Sequence, residues 1–227
     1  MKIKLPFIQI AGVHSLDEAE MLAELGVQYI GFPLRLDFNK EDITEEKAAR
    51  IISLSAPETN AILITYEDRT DEIIKMCDML NCSIVQIHGH IMIDQLRKLR
   101  KKRKDLFIIK SLVVGRSSNE ILYRDISEYE PLVDAFITDT YDSVSGASGA
   151  TGKTHDFSIS AEIVRRSKLP VILAGGLTEN NVKEAIIKVR PAGVDSHSGV
   201  EGFDGIKDPK KIKSFLSEAA KGFEVIK

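Results

Sequence analysis

Short apolar runs and longer amphipathic stretches alternate along the whole chain. The short runs are FIQIA (7–11), QYIGF (28–32), AILIT (61–65), SIVQI (83–87), LFIIKSL (106–112), DAFIT (134–138), PVILAG (170–175) and AGVDS (192–196). They are continuous rather than alternating in polarity, as strands buried on both faces of a parallel sheet require. Helical patterns lie between them: 15–26, 44–55, 69–81, 93–104, 119–129, 158–168, 178–189 and 208–222. The first has a Ser cap, acids in its opening turn and a stop at Gly26.

Strands alternating with helices imply right-handed parallel crossovers. Eight such units in 227 residues predict an α/β fold, a single (β/α)8 TIM barrel occupying residues 1–227 as one domain. An open doubly wound sheet is the alternative. In a barrel, the residues just after each strand build the site at one face. No Pro-, Gly- or Ser-rich linker divides the chain, and the one long loop, 140–156, falls between strand six and helix six. Long loops in compact domains are commonly functional.

Composition narrows the class. The chain is 43% hydrophobic and 29% charged, with a net charge of -3. That balance predicts a soluble protein and gives no reason to expect nucleic acid. No apolar run reaches the roughly 20 residues that span a bilayer. The N-terminal apolar stretch is short and lacks a small-residue cleavage site, so a cytoplasmic location is expected. Cys77 and Cys82 lie five apart in or near one predicted helix, on different faces, and read as small core residues of a reducing compartment. The basic run RKLRKKRK (97–104) reads as a solvated helix end, where cations suit the helix dipole.

Candidate chemistry begins in the long loop. GATGKT (149–154) has the glycines and small residues that let backbone N–H groups crowd an anion, although its spacing is not that of a Walker A loop. LAGGLTENN (173–181) ends strand seven with Gly175-Gly176, and VDSHSGVEG (194–202) ends strand eight with Ser198-Gly199. In this barrel class those two loops, with the N-terminus of a short extra helix, commonly bind phosphate. A phosphate-bearing ligand follows.

The stretches 11–32, 85–89, 136–140, 149–157, 173–186 and 194–208, taken in order, resemble the phosphoribosylanthranilate isomerase family of tryptophan biosynthesis, a ribulose-phosphate-binding barrel. The resemblance implies an Amadori-type aldose–ketose isomerisation of a phosphoribosyl amine, without metal or cofactor, in a monomer or homodimer. It assigns the general acid to Asp139. It assigns the general base to a cysteine in a Lys-Ile-Cys-Gly motif, which here reads Gln9-Ile10-Ala11-Gly12. It places Gly149, Thr151, Gly152, Gly175, Gly176, Asp195, Ser198 and Gly199 around the phosphate and a phosphorylated sugar-derived substrate. Arg35, Gln86 and His88 are the candidates for recognising the rest of that substrate.

Ala11 marks a departure, because a methyl group cannot accept a proton. The strand-two loop GFPLRLDFNKEDI (31–43) departs too: the arginine expected to meet the anthranilate carboxylate falls near Lys40 or Glu41, and Arg35 is its candidate replacement. The family's tryptophan is Phe157, and a serine of the last loop is His197. Substitute bases to weigh are His14, His88, His155, His197, Asp37 and Glu67, with Lys110 as a candidate Schiff-base lysine. The phosphate half is kept and the half carrying the base and the aromatic acid is changed. Three readings stand: an isomerase of the family using another base, an isomerase or epimerase on a different phosphorylated sugar, and a non-catalytic phospholigand-binding paralogue.

Overall fold

A computed structural model describes residues 3–36, 43–140 and 156–227. Eight parallel strands close into a barrel in chain order: β1 Phe7–Ala11, β2 Tyr29–Leu34, β3 Asn60–Thr65, β4 Ile84–Ile87, β5 Phe107–Val114, β6 Ala135–Thr140, β7 Val171–Leu173 and β8 Gly193–Ser196. The last pairs back onto the first, with Gln9 beside Asp195 and Ile10 beside Ser196. The open-sheet alternative is thereby set aside. Helices follow each strand: α1 Leu16–Glu24, α2 Glu45–Leu54, α3 Thr70–Leu80, α4 Ile93–Lys102, α5 Asn119–Tyr129, α6 Phe157–Arg166, α7 Val182–Val189 and α8 Pro209–Ile226. One turn of 3₁₀ helix, Ser198–Val200, sits between β8 and α8.

Both faces of the strands are buried, which is why their sequences show no alternation. One face packs on the helices through residues such as Ile10, Ile30, Leu63, Val85, Ile108, Phe136 and Val194. The other fills the barrel with Phe7, Ala11, Tyr29, Ile62, Ile84, Phe107, Ile109, Ala135, Ile137 and Ile172. Successive side chains of a strand point to opposite faces. Two residues beyond an interior position therefore lies another interior position, one step nearer the strand's C-terminal end.

Two helix boundaries differ from the hydrophobic pattern for local reasons. α7 starts at Val182 rather than 178 because 178–181 is a side-chain-tied turn: Asn181 Oδ1 accepts the Thr178 N–H at 2.8 Å and Thr178 Oγ1 accepts that of Asn180 at 3.2 Å. α8 runs past Gly222 because that glycine is a contact and not a stop; a Cβ there would stand 3.1 Å from Ile186 Cβ of α7.

Other features match their sequence pattern. Ser15 Oγ caps α1 by accepting the Glu18 N–H, and Gly26 closes it at φ +83°. Cys77 and Cys82 are buried free thiols, both pushed up to about 12 by burial. The basic run is spent on ion pairs within the chain: Lys98 and Lys102 with Asp71, Arg100 with Asp134, Arg103 with Asp78 and Asp105. Among the described residues no helix is long and apolar enough to cross a membrane.

Candidate active site

The apolar filling of the barrel gives way to polar side chains at the C-terminal end of the strands. Following the interior alternation upward, β1 contributes Gln9 and Ala11, β4 Gln86, β5 Ser111, β6 Asp139 and β8 Asp195. Gln9, Gln86, Ser111, Asp139 and Asp195 are all buried. Asp139, Asp195, His197, Ser198, Gly199, Gly175 and Gly176 line one small cleft. Asp139, the acid assigned by resemblance, and two of the three glycine-bearing loops thus meet, as the strand ends predict.

Burial sets the electrostatics. Asp139 is pushed up to about 7 by loss of solvent, partly offset by the Thr140 N–H that its Oδ1 accepts at 2.7 Å. Asp195 is pushed up to about 8 by burial and by the charge of Asp139, against the opposing pull of Lys207 and a hydrogen bond with Gln9. Asp195 Oδ1 and Gln9 Oε1 are buried with no hydrogen-bond partner among the described residues. Asp195, expected at the phosphate, lines the same cleft as the glycine loops and has Asp139 and Gln9 as neighbours.

Ala11 sits in the barrel interior with its methyl enclosed, 3% exposed, and a Cβ on the neighbouring Gly31 would stand 3.1 Å from it. The next residue, Gly12, has φ +76°, and a Cβ there would fall 2.1 Å from His197 Nε2. The imidazole of His197 thus lies flat against a backbone only glycine can supply. Burial, then the charge of Lys207, pushes His197 down to about 3, so it stays neutral. Its Nε2 lies 3.5 Å from Glu201 Oε1. Lys207 Nζ donates to that same oxygen at 2.5 Å and to the His197 carbonyl at 3.1 Å. Glu18, also buried, accepts the backbone N–H groups of His14 and Lys207 at 2.6 and 2.9 Å. His14 is a clamp on the start of α1 and lies outside the cleft lining.

The glycine end is built from backbone. Gly175 and Gly176 take φ +98° and +66°, values that strain other residues. Asn181 Nδ2 holds the Gly176 carbonyl at 2.9 Å, and Ser196 Oγ holds that of Leu177 at 2.8 Å. A Cβ on Gly199 would stand 1.9 Å from the Leu177 oxygen, so the loops after β7 and β8 touch at van der Waals limits. Gly149, Thr151, Gly152 and His155 lie outside the described residues, as do Asp37 and Lys40.

The opposite side is built from charged side chains. Arg35, at φ +52°, donates to Glu45 at 2.7 Å, Glu72 at 2.9 Å and Glu67 at 3.1 Å. These carboxylates, Glu45 foremost, hold its guanidinium charged. Arg35 and Glu67 line an open hollow with Tyr66, Gly89, His90 and Arg116. Gln86 and His88 belong instead to an interior chain: Gln9 Nε2 donates to Gln86 Oε1 at 3.2 Å, Gln86 Nε2 to Ser111 Oγ at 3.4 Å, and Ser111 Oγ meets His88 Nδ1 at 3.1 Å. Lys110 has the other parity. It faces the helix layer, over the Tyr129 ring at 5.5 Å, and donates to the carbonyls of Ile87, Gly89 and Ser111. Burial pulls it down to about 7, but all three donors are taken by backbone, a clamp between β4 and β5 rather than a free amine. Among the described residues, no three His, Cys, Asp or Glu side chains are grouped to hold a metal ion.

Known proteins are similar to this chain over nearly its full length. The family model described as N-(5'-phosphoribosyl)anthranilate (PRA) isomerase matches residues 8–218. The chain belongs to the PRA isomerase family. It is 36% identical over 218 residues to N-(5'-phosphoribosyl)anthranilate isomerase 2 of Methanosarcina mazei, covering 95% of both chains. The phosphoribosylanthranilate isomerase structure from Thermotoga maritima superimposes with a TM-score of 0.79 at 29% identity, over 94% of this chain and 98% of that one. The enzyme from Pyrococcus furiosus gives 0.76 at 29%, over 94% and 98%.

Within a PRA isomerase barrel, sequence reasoning underrated two groups. Lys207 and Glu18 are buried charges that tie the β8 loop to α1, yet in sequence each looks like an ordinary surface residue. The sequence assigns Asp195 to the phosphate by resemblance, and only the strand register sets it beside Gln9.

Proposed function

We propose that the protein catalyses the Amadori rearrangement of phosphoribosylanthranilate to the corresponding amino-ketose, with Asp139 as general acid. The observation that carries this reading is Asp139 itself: a buried carboxyl pushed up to about 7, lining one cleft with the glycine loops after β7 and β8. A carboxyl in that range still carries a proton near neutrality and can deliver it to the sugar's ring oxygen as the ring opens. The 5-phosphate goes to the backbone of Gly175, Gly176, Ser198 and Gly199, joined by Gly149, Thr151 and Gly152. A related barrel with a TM-score of 0.76 and 28% identity was solved with reduced 1-(o-carboxyphenylamino)-1-deoxyribulose 5-phosphate, a ligand of this chemistry. The aromatic carboxylate goes to the opposite hollow, where Arg116 and His90 stand beside the carboxylate-bound Arg35. Buried free thiols fit a reducing, cytoplasmic setting.

Turnover of phosphoribosylanthranilate generated in situ tests this. The wild type converts it, and Asp139→Asn loses roughly 10²–10⁴ of kcat, the usual worth of a placed acid. Wild-type protein that binds a ribulose-phosphate analogue but shows no turnover would sink the isomerase reading. Ala11→Cys adds a second check, because a gain in rate means the site still presents the substrate to that position.

One observation favours a second reading. Arg35 is occupied by three carboxylates, which suits a substrate whose second group is not an acid. A phosphorylated sugar carrying a different amine would then isomerise on the same Asp139 cleft, and a comparison of amine partners would separate the two.

A further inference from the structure

We infer that Asp195 is the base of this reaction, working with Asp139 as a carboxyl pair that holds one proton. The inference rests on the isomerisation proposed above and supplies the partner that Ala11 cannot be.

The cleft leaves few choices. Its titratable lining among the described residues is Asp139, Asp195 and His197. His197 is wedged against Gly12, and burial has removed most of its basicity. A good general base has an affinity for protons matched to the working pH. Asp195 meets that condition. It projects from β8 into the barrel, beside Gln9 of β1, and its Oδ1 is a buried acceptor without a partner. Leaving such an oxygen unpaired costs folding stability, and an unpaired buried acceptor calls for an explanation. The charged groups acting on it are Asp139 from β6 and Lys207 from the segment before α8, with the neutral amide of Gln9 as hydrogen-bond donor. Asp139 and Asp195 line one cleft and the charge of Asp139 raises Asp195, so a single proton held between them leaves one carboxyl as acid and the other as base.

The proton ledger closes with these two groups alone. Asp139 protonates the ring oxygen, the bond from that oxygen to the first sugar carbon breaks, and an open-chain iminium forms. The Asp195 carboxylate removes the proton on the second carbon, and that electron pair becomes the carbon–carbon double bond of an enaminol. Asp195 then returns its proton to the first carbon. The hydroxyl on the second carbon loses its proton to Asp139 and becomes the ketone. No electron acceptor is needed, and both carboxyls end as they began.

Two measurements test the assignment. In the first, Asp195→Asn preserves shape and loses at least about 100-fold in kcat with KM within threefold. Asp195→Glu recovers part of the rate. The bell-shaped dependence of kcat on pH collapses to one limb in Asp195→Asn, which a merely structural role would not produce. Asp195→Asn with kcat within threefold of wild type overturns the base role. In the second, carbon NMR of aspartate labelled at the side-chain carboxyl follows Asp195 in the substrate-free protein. Asp139→Asn moves its midpoint downward, because a neighbouring negative charge has gone. An unmoved midpoint overturns the shared proton. If the wild type is inert toward phosphoribosylanthranilate, the function falls and the base role with it, while the titration still decides whether the carboxyls act as a pair.

Discussion

The two sides of the barrel mouth are built from different materials. After β7 and β8 the surface is main chain: left-handed Gly175 and Gly176, and Gly199 pressed against a carbonyl. After β2 and β3 it is side chain: Arg35 gripped by Glu45, Glu67 and Glu72, with Arg69 also on Glu67. In the function proposed above, the backbone site reads a group every substrate of the class carries, the phosphate. It has little freedom to change, since each glycine is required by a contact or a dihedral. A side-chain site is free to be rewritten one residue at a time. The two buried carboxyls, Asp139 and Asp195, line the cleft on the main-chain side.

The largest effect expected concerns that pair. Both carboxyls have folded-state pKa values raised above the unfolded value near 3.9, so the folded protein binds the extra protons. Their stabilising contribution is present at low pH and is lost as pH rises from about 4 through 7 to 8. Thermal unfolding between pH 5 and pH 9 shows stability falling by up to about 1.4 kcal/mol per pH unit for each group. In Asp195→Asn the slope flattens, and the variant outlasts the wild type at pH 9. A wild-type curve without such a fall breaks the claim of a carboxyl pair in low dielectric.

Next comes the backbone side. Gly199→Ala drives a methyl into the Leu177 carbonyl, where overpacking costs about 1–3 kcal/mol and displaces the loops after β7 and β8. Affinity for a ribulose-phosphate analogue falls at least roughly tenfold by calorimetry, the equivalent of about 1.4 kcal/mol. Retained affinity would mean that the main chain is not the phosphate reader. The smallest effect belongs to the side-chain pole. Arg35→Met releases three partly buried carboxylates, whose pairs are each worth on the order of 1 kcal/mol after solvent screening. Denaturant midpoints drop slightly, and KM for the aromatic amine changes more than affinity for the phosphate. Equal changes in both would erase the division of labour.

Much of the architecture was legible from hydrophobicity because each run and each amphipathic stretch carries its own period. Asp139 was legible because it ends a strand, and the glycines because a left-handed or crowded backbone leaves few other residues possible. The side-chain chemistry was less legible, and Lys110 shows why. LFIIKSL contains both a lysine and a serine, and which one faces the barrel depends on where the strand begins. A shift of one residue exchanges the two faces. The observed register turns Lys110 toward Tyr129 and Ser111 toward Gln86 and His88. The sequence offers Arg35 as a candidate for the anthranilate carboxylate and hides its three partners, which are 10, 32 and 37 residues away.

By itself, then, the order of residues determined the barrel, the end at which its glycine loops gather and the strand that Asp139 closes, all of which depend on local periods and local backbone demands. Tertiary structure alone decided that Asp195 faces Asp139, that Lys110 leaves the site and that Arg35 is already occupied. Those facts depend on strand register and on desolvation by distant neighbours, and neither is a property of any short stretch of chain.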